Sequence, residues 1–147
     1  MKEQILVLPP TGPIKVSIQL PASKSISNRA LIMADLGGCR IALHQLSDAD
    51  DTERLDRLLN ERSSIMDCGA GGTTLRFLLA WAAIQEGETR TLTGIPHLLD
   101  RPHEALVDAL NSLGGSIERS PEGFRVTGRK LTGGQVEFDA PISSQYI

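Results

Sequence analysis

Residues 68–85 read CGAGGTTLRFLLAWAAIQ, a glycine-rich run that opens directly into a stretch apolar on nearly every side. A helix without a polar face has to be buried all round, so residues 74–85 predict a central helix. Glycines at 69, 71 and 72 allow positive φ and bring backbone N–H groups close to a ligand, and Thr73 or Thr74 stands where a capping hydroxyl belongs. Residues 64–67 before the run and 89–94 after the helix each predict a short strand. The run lacks the lysine of a GxxxxGK[ST] phosphate loop, and its leading strand is too short to argue for a dinucleotide-binding unit.

Further along, Pro102 reads as the first-turn proline of an amphipathic helix that carries Ala105, Leu106, Ala109, Leu110 and Leu113 and stops at Gly114 and Gly115. Residues 116–119 and 124–127 flank Pro121-Glu122-Gly123 as a hairpin, and residues 135–138 add a strand. Toward the N-terminus, residues 5–8 and 14–20 read as strands split by PPTGP, the second alternating apolar and polar residues. Ser23 or Ser25 caps a helix to about Leu36, stopped by Gly37 and Gly38, and a strand is expected near residues 40–46. Asp48 to Asp51 opens a surface helix to about Asn60, with Leu55, Leu58 and Leu59 opposite Glu53, Arg54, Asp56 and Arg57.

These elements repeat in the order buried helix, strand, surface helix, strands. Setting Arg29 on Arg76 aligns NRALIMADL with LRFLLAWAA, and setting Asn60 on Asn111 aligns Leu55 and Leu59 with Leu106 and Leu110. A third copy is expected to begin at Ser143-Ser144-Gln145, which makes the 147 residues read as a piece of a longer protein.

Composition narrows the function. With 40% hydrophobic and 22% charged residues the chain is an ordinary ordered domain, and with 3% aromatics its core must be built from Leu, Ile, Val and Ala. A net charge of -3 offers no basic field for nucleic acid. No apolar stretch reaches the roughly 18 residues needed to span a bilayer, and residues 1–10 lack a signal peptide's apolar region, so no membrane partner and a cytoplasmic location are expected. Cys39 and Cys68 form neither a CxxC pair nor a disulfide framework and read as reduced structural thiols. His44, His97 and His103 lack metal-ligand spacing and read as surface or strand residues, and Asp48, Asp50, Asp51 and Glu53 read as helix capping rather than a metal site.

Against that background, three helix starts carry cations: SKSISNR at 23–29, GGTTLR at 71–76 and DRPHEAL at 100–106. Helix N-termini already hold partial positive charge, so Lys24, Arg29, Arg76 and Arg101 sit at the unfavourable end. Gathered in space, they suit an anion with several charges, such as a phosphorylated, carboxylated small molecule. For Arg76 an internal carboxylate is the expected partner, and for Arg101 a local pair with Asp100 is the plain alternative.

LPASKSISNRALIMA, GAGGTTLRF, DRPHEALVDAL followed by LGG, and the final SSQYI together resemble the N-terminal part of the 5-enolpyruvylshikimate-3-phosphate synthase family. The resemblance implies a two-lobed α/β (α+β) fold of repeated βαβαββ units with the site between the lobes. Residues 1–20 would begin in one lobe and cross over; residues 21–147 would supply about two units of the other lobe and the start of a third. It implies transfer of the enolpyruvyl group of phosphoenolpyruvate to the 5-hydroxyl of shikimate 3-phosphate with release of phosphate, by addition and elimination, without a metal or organic cofactor. Carried over by motif, Lys24 would contact phosphoenolpyruvate and take part in catalysis, with Gly72 and Arg101 binding the same substrate. Ser25 and Arg29 would hold shikimate 3-phosphate, Ser143 and Ser144 its phosphate, and Gln145 would lie along its ring, while Thr73 and Arg76 would be structural beside the site. The family's full-length proteins would be monomers, and this piece alone is expected to be inactive and to self-associate through exposed apolar helix faces. The chain departs from the pattern at Ala70, where the family often has Asn, at Phe77, where it commonly has Pro or Leu, and in the short span between Asn60 and Gly69. Competing readings are UDP-N-acetylglucosamine enolpyruvyl transferase, whose loop cysteine neither Cys39 nor Cys68 matches, and a non-catalytic anion-binding module.

Overall fold

The structure is a computed structural model that describes residues 5–38 and 42–137. Its centre is the stretch from Cys68 to Gln85. The helix α3 spans Gly72–Ala83 and buries Leu75, Leu78, Leu79, Trp81, Ala82 and Ala83. Gly69, at φ +58°, turns the chain from the strand β1 (Ile65–Asp67) toward that helix, a conformation glycine adopts without strain. The Asp67 side chain accepts from Gly69 N–H at 2.8 Å, and the Gly69 carbonyl accepts from Ile95 N–H at 2.9 Å.

The chain then adds β2 (Thr89–Thr93), a single-turn helix α4 (Pro96–Leu99), the helix α5 (Glu104–Ser112), and the hairpin of β3 (Ile117–Ser120) and β4 (Gly123–Thr127). The sheet order is β1-β2-β4-β3, with β1 and β2 parallel across α3 and the other pairs antiparallel. Register sets Met66 opposite Leu92, Leu92 opposite Phe124, and Ile117 opposite Val126. All five side chains are buried in one core with α3, as period-two alternation requires of a sheet covered on one face. The fold is therefore mixed α/β with a four-stranded mixed sheet.

Two further helices lean on α3. The helix α2 (Asp50–Glu61) buries Leu55, Leu58 and Leu59 and ends at Arg62, a non-glycine residue at φ +49°. The helix α1 (Lys24–Leu36) starts at Ser23, whose Oγ accepts from Ile26 N–H at 3.4 Å. Two polar residues inside SKSISNR fasten α1 to the start of α2. Ser27 Oγ accepts from Ser47 N–H at 2.9 Å, and Asn28 Oδ1 accepts from Thr52 Oγ1 at 2.7 Å, all within buried surroundings. At the far end of α3 the Trp81 indole N–H donates to Asp35 at 2.6 Å, Asp35 also pairs with Arg62 at 2.6 Å, and the Arg62 and Arg90 guanidiniums lie over the indole at 5.5 and 4.7 Å.

Several sequence expectations are corrected. Residues 5–8 and 14–20 form no strand, and the alternating Ile14, Val16, Ile18 and Leu20 are 65–81% exposed. Their pattern suits a half-buried strand, but a strand's hydrogen bonds need a neighbour, and none of the described residues supplies one. Residues 42–46 and 135–137 likewise lack strand pairing, while the rest of those two expected strands lies outside the described residues. Pro96, rather than Pro102, occupies a helix first turn, and Pro102 precedes His103, the N-cap of α5. Neither Thr73 nor Thr74 caps α3, whose N-cap is Gly71, and Ala49 caps α2 without a side-chain bond. The central helix is also not covered all round: Phe77 and Ala80 stay partly exposed and, with Ile32, Met33 and Leu36 of α1, line an apolar groove of about 410 Å³. No helix among the described residues is long and apolar enough to cross a membrane.

Candidate functional site

The N-terminus of α3 is where the cation-bearing motifs meet. Lys24, in the first turn of α1, places Nζ 2.9 Å from Asp51 Oδ2 in the first turn of α2. The other carboxylate oxygen of Asp51 lies against Gly71: a Cβ there would stand 3.0 Å from Asp51 Oδ1 and 2.8 Å from Thr74 Oγ1. Thr74 Oγ1 in turn donates to the Asp51 carbonyl at 3.1 Å, so α2 and α3 are tied by backbone as well as by charge. Arg101, on the turn between α4 and α5, brings Nη1 to 2.9 Å from the point where a Cβ on Gly72 would sit, and the Arg76 guanidinium borders the same point at 3.6 Å. Gly71 and Gly72 are thus the hub that leaves room for a carboxylate on one side and a guanidinium on the other.

Arg29 lies on the next flank. Its Nη1 donates to the Ser25 carbonyl at 3.0 Å and its guanidinium is 5.9 Å from the Phe77 ring centroid, so it faces α3 one turn further along and borders the apolar groove. Lys24, Gly72, Arg76 and Arg101 therefore gather at one helix end; Ser25 and Arg29 sit beside it; Ser25 is exposed, and Thr73 is half-buried on α3 itself. Ser143, Ser144 and Gln145 lie outside the described residues. The plain alternative for Arg101, a local pair with Asp100, is absent among the described ion pairs.

Two residues escaped the sequence reading. The carboxylate of Asp51, read from sequence as capping, pairs with Lys24, 27 positions away, a contact that no local spacing signals. His103, read as a surface or strand residue, is 1% exposed and has its ring against Leu98 and Phe124. Its pKa lies below the ordinary histidine value because burial disfavours the charged form, and the Arg76 and Arg119 charges push the same way. Cys68, in the glycine run, is buried with its thiol pushed up to about 12 by desolvation first and the Asp67 charge second, so it is inert rather than nucleophilic. No cluster of metal-ligating side chains occurs among the described residues.

What this arrangement can do is hold an anion. An α-helix N-terminus presents unpaired N–H groups with partial positive charge, and here two guanidiniums and an ammonium stand around it without a capping side chain. The Lys24–Asp51 pair is half exposed at Lys24, so an incoming dianion competes with a single carboxylate in water-screened surroundings.

Known proteins are similar to this chain in sequence. The family model described as EPSP synthase (3-phosphoshikimate 1-carboxyvinyltransferase) matches residues 54–147. A 3-phosphoshikimate 1-carboxyvinyltransferase of Bacteroides fragilis (strain YCH46) is 46% identical over 138 residues, covering 91% of this chain and 33% of the relative. Another of the same name from Photobacterium profundum is 34% identical over 173 residues, covering 97% of this chain and 40% of the relative. That alignment is longer than the 147-residue chain, so the Photobacterium protein carries internal residues that this chain lacks. The chain spans about a third of the length of the curated relatives it matches.

Proposed function

Because the chain belongs to the EPSP synthase family, we propose that it forms part of an enzyme moving the enolpyruvyl group of phosphoenolpyruvate onto the 5-hydroxyl of shikimate 3-phosphate, with release of phosphate. The observation that carries this reading is the gathering of cations at the uncapped start of α3, where Arg101 and Arg76 border Gly72 and Lys24 pairs with Asp51 beside Gly71. Phosphoenolpyruvate brings a phosphate and a carboxylate. Lys24 offers a compact charge to the first, Arg101 a two-pronged donor to either, and the first-turn N–H groups near Gly72 complete the cradle. As phosphate departs, these cations stabilise the charge that collects on it.

Ser25 and Arg29, beside the hub, hold shikimate 3-phosphate in this reading, joined by Ser143 and Ser144 at its phosphate and Gln145 along its ring. Thr73 and Arg76 keep the start of α3 in shape. Residues 1–20 begin in one lobe and cross to the other, and residues 21–147 form an incomplete substrate-binding lobe of about two βαβαββ units and the start of a third. The setting is cytoplasmic, the full-length protein a monomer, and the partners are the two small molecules. The apolar groove between α1 and α3 supports self-association of this segment alone.

The test is calorimetric titration of the chain with each substrate. Binding of phosphoenolpyruvate that is lost in Arg101→Ala, and of shikimate 3-phosphate lost in Arg29→Ala, supports the assignment. Equal affinity in the variants contradicts it. The segment alone is expected to release no phosphate from the two substrates.

A further inference from the structure

Two hydrogen bonds that help hold the turn carrying Arg101 meet at one atom. The Leu98 carbonyl accepts both from Arg101 N–H at 3.2 Å and from the His103 ring at Nε2, 2.9 Å away. His103 is fastened at its other end as well: its backbone carbonyl accepts from Val107 N–H at 3.1 Å in α5, and its ring meets Phe124 of β4 edge-on at 5.6 Å. Since a carbonyl only accepts, Nε2 must carry the ring proton. That leaves Nδ1 as a bare lone pair, buried and without a partner among the described residues.

We propose that His103 is a positioning residue: its neutral ring locks the turn from Leu98 to His103, so that the Arg101 guanidinium stays against Gly72, and protonation of that ring releases the turn. The proposal rests on the reading of Arg101 as a phosphoenolpyruvate contact. Protonation would create a buried N–H at Nδ1 with no acceptor among the described residues. It would also add a cation facing Arg76 from α3 and Arg119 from β3, with Glu104 of α5 as the acid acting the other way and Leu98 of α4 as the accepting carbonyl. The sign follows from the lowered pKa. The opened turn takes up a proton near the ordinary value of 6.5 and the closed turn does not, so closure is fully favoured above that pH and weakens as pH falls below it.

The experiment titrates phosphoenolpyruvate into the chain at pH 7.5 and 5.5 and follows amide exchange at Arg101 in the same samples. His103→Leu removes the donor, His103→Gln keeps a donor that cannot take a proton, and Arg101→Ala removes the cation. At pH 7.5 His103→Leu should bind about tenfold more weakly and exchange its Arg101 amide faster, while His103→Gln stays within about threefold of the parent. Between pH 7.5 and 5.5 the parent should lose more affinity than His103→Gln, which corrects for titration of the ligand's own phosphate. A His103→Leu chain that binds and exchanges like the parent overturns the proposal, and so does an equal acid loss in the parent and His103→Gln. If His103→Leu does not fold by circular dichroism, the parent and His103→Gln comparison decides alone. A parent chain that does not bind phosphoenolpyruvate, or an Arg101→Ala chain that binds normally, sinks the functional reading instead, and Arg101 amide exchange then judges the turn-locking role by itself.

Discussion

The two ends of α3 hold cations in opposite ways. At its C-terminal end, Arg90 is 2% exposed, lies over Trp81 and pairs with Glu88, while Arg62 shares Asp35 with the indole N–H. Cations there agree with the helix dipole, and aromatic stacking adds to the agreement. At the N-terminal end Lys24, Arg76 and Arg101 oppose the dipole, and Lys24 is held by one partly exposed carboxylate. The first end is packing that happens to be charged. The second places cations where the helix dipole disfavours them and where a bound anion would be favoured, an arrangement that suits a site better than a core.

Substitutions can break or sharpen that contrast. Trp81→Ala should have the largest effect, a loss of about 3–5 kcal/mol in denaturant unfolding, because it opens a cavity and removes one partner each of Asp35 and Arg90. Arg101→Ala should leave unfolding within about 0.5 kcal/mol of the parent and weaken phosphoenolpyruvate binding by roughly 1.5–3 kcal/mol in titration calorimetry. If instead it destabilises the fold as Trp81→Ala does, the two ends are not different in kind. Gly72→Ala should push the flexible end of Arg101 aside, lowering affinity about tenfold with little change in stability. Asp51→Asn should move affinity in the other direction by a few-fold, since Lys24 no longer has a competing carboxylate, with under about 1 kcal/mol lost in unfolding. Smallest of all, a thiol reagent at pH 8 should fail to label the Cys68 peptide in the native chain and label it readily in urea, as peptide mass mapping would reveal.

What could be read in advance follows which groups find their partners locally. Helices satisfy their own backbone, so the helices over 24–36, 50–61, 72–83 and 104–112 were legible from apolar spacing, Ser23 and the glycine stops, with ends off by a few residues. The hairpin from Ile117 to Thr127 was legible because its turn is written in the sequence. The alternation of Ile14, Val16, Ile18 and Leu20 was equally clear and still produced no strand, since pairing depends on residues elsewhere. At the candidate site, Lys24, Gly72 and Arg101 stood out because they sit in dense local motifs. Asp51 and His103 did not, because one acts across 27 positions and the other through a buried ring whose only sequence trace is a single histidine.

The indole at Trp81 is the chain's one tryptophan, and nine helical steps from Gly72, about 14 Å, separate it from the glycine hub. Its emission is accordingly expected to report denaturation while staying blind to occupancy of the distant cradle. A single optical channel can then certify that a variant is intact in the same cuvette where ligand is being added.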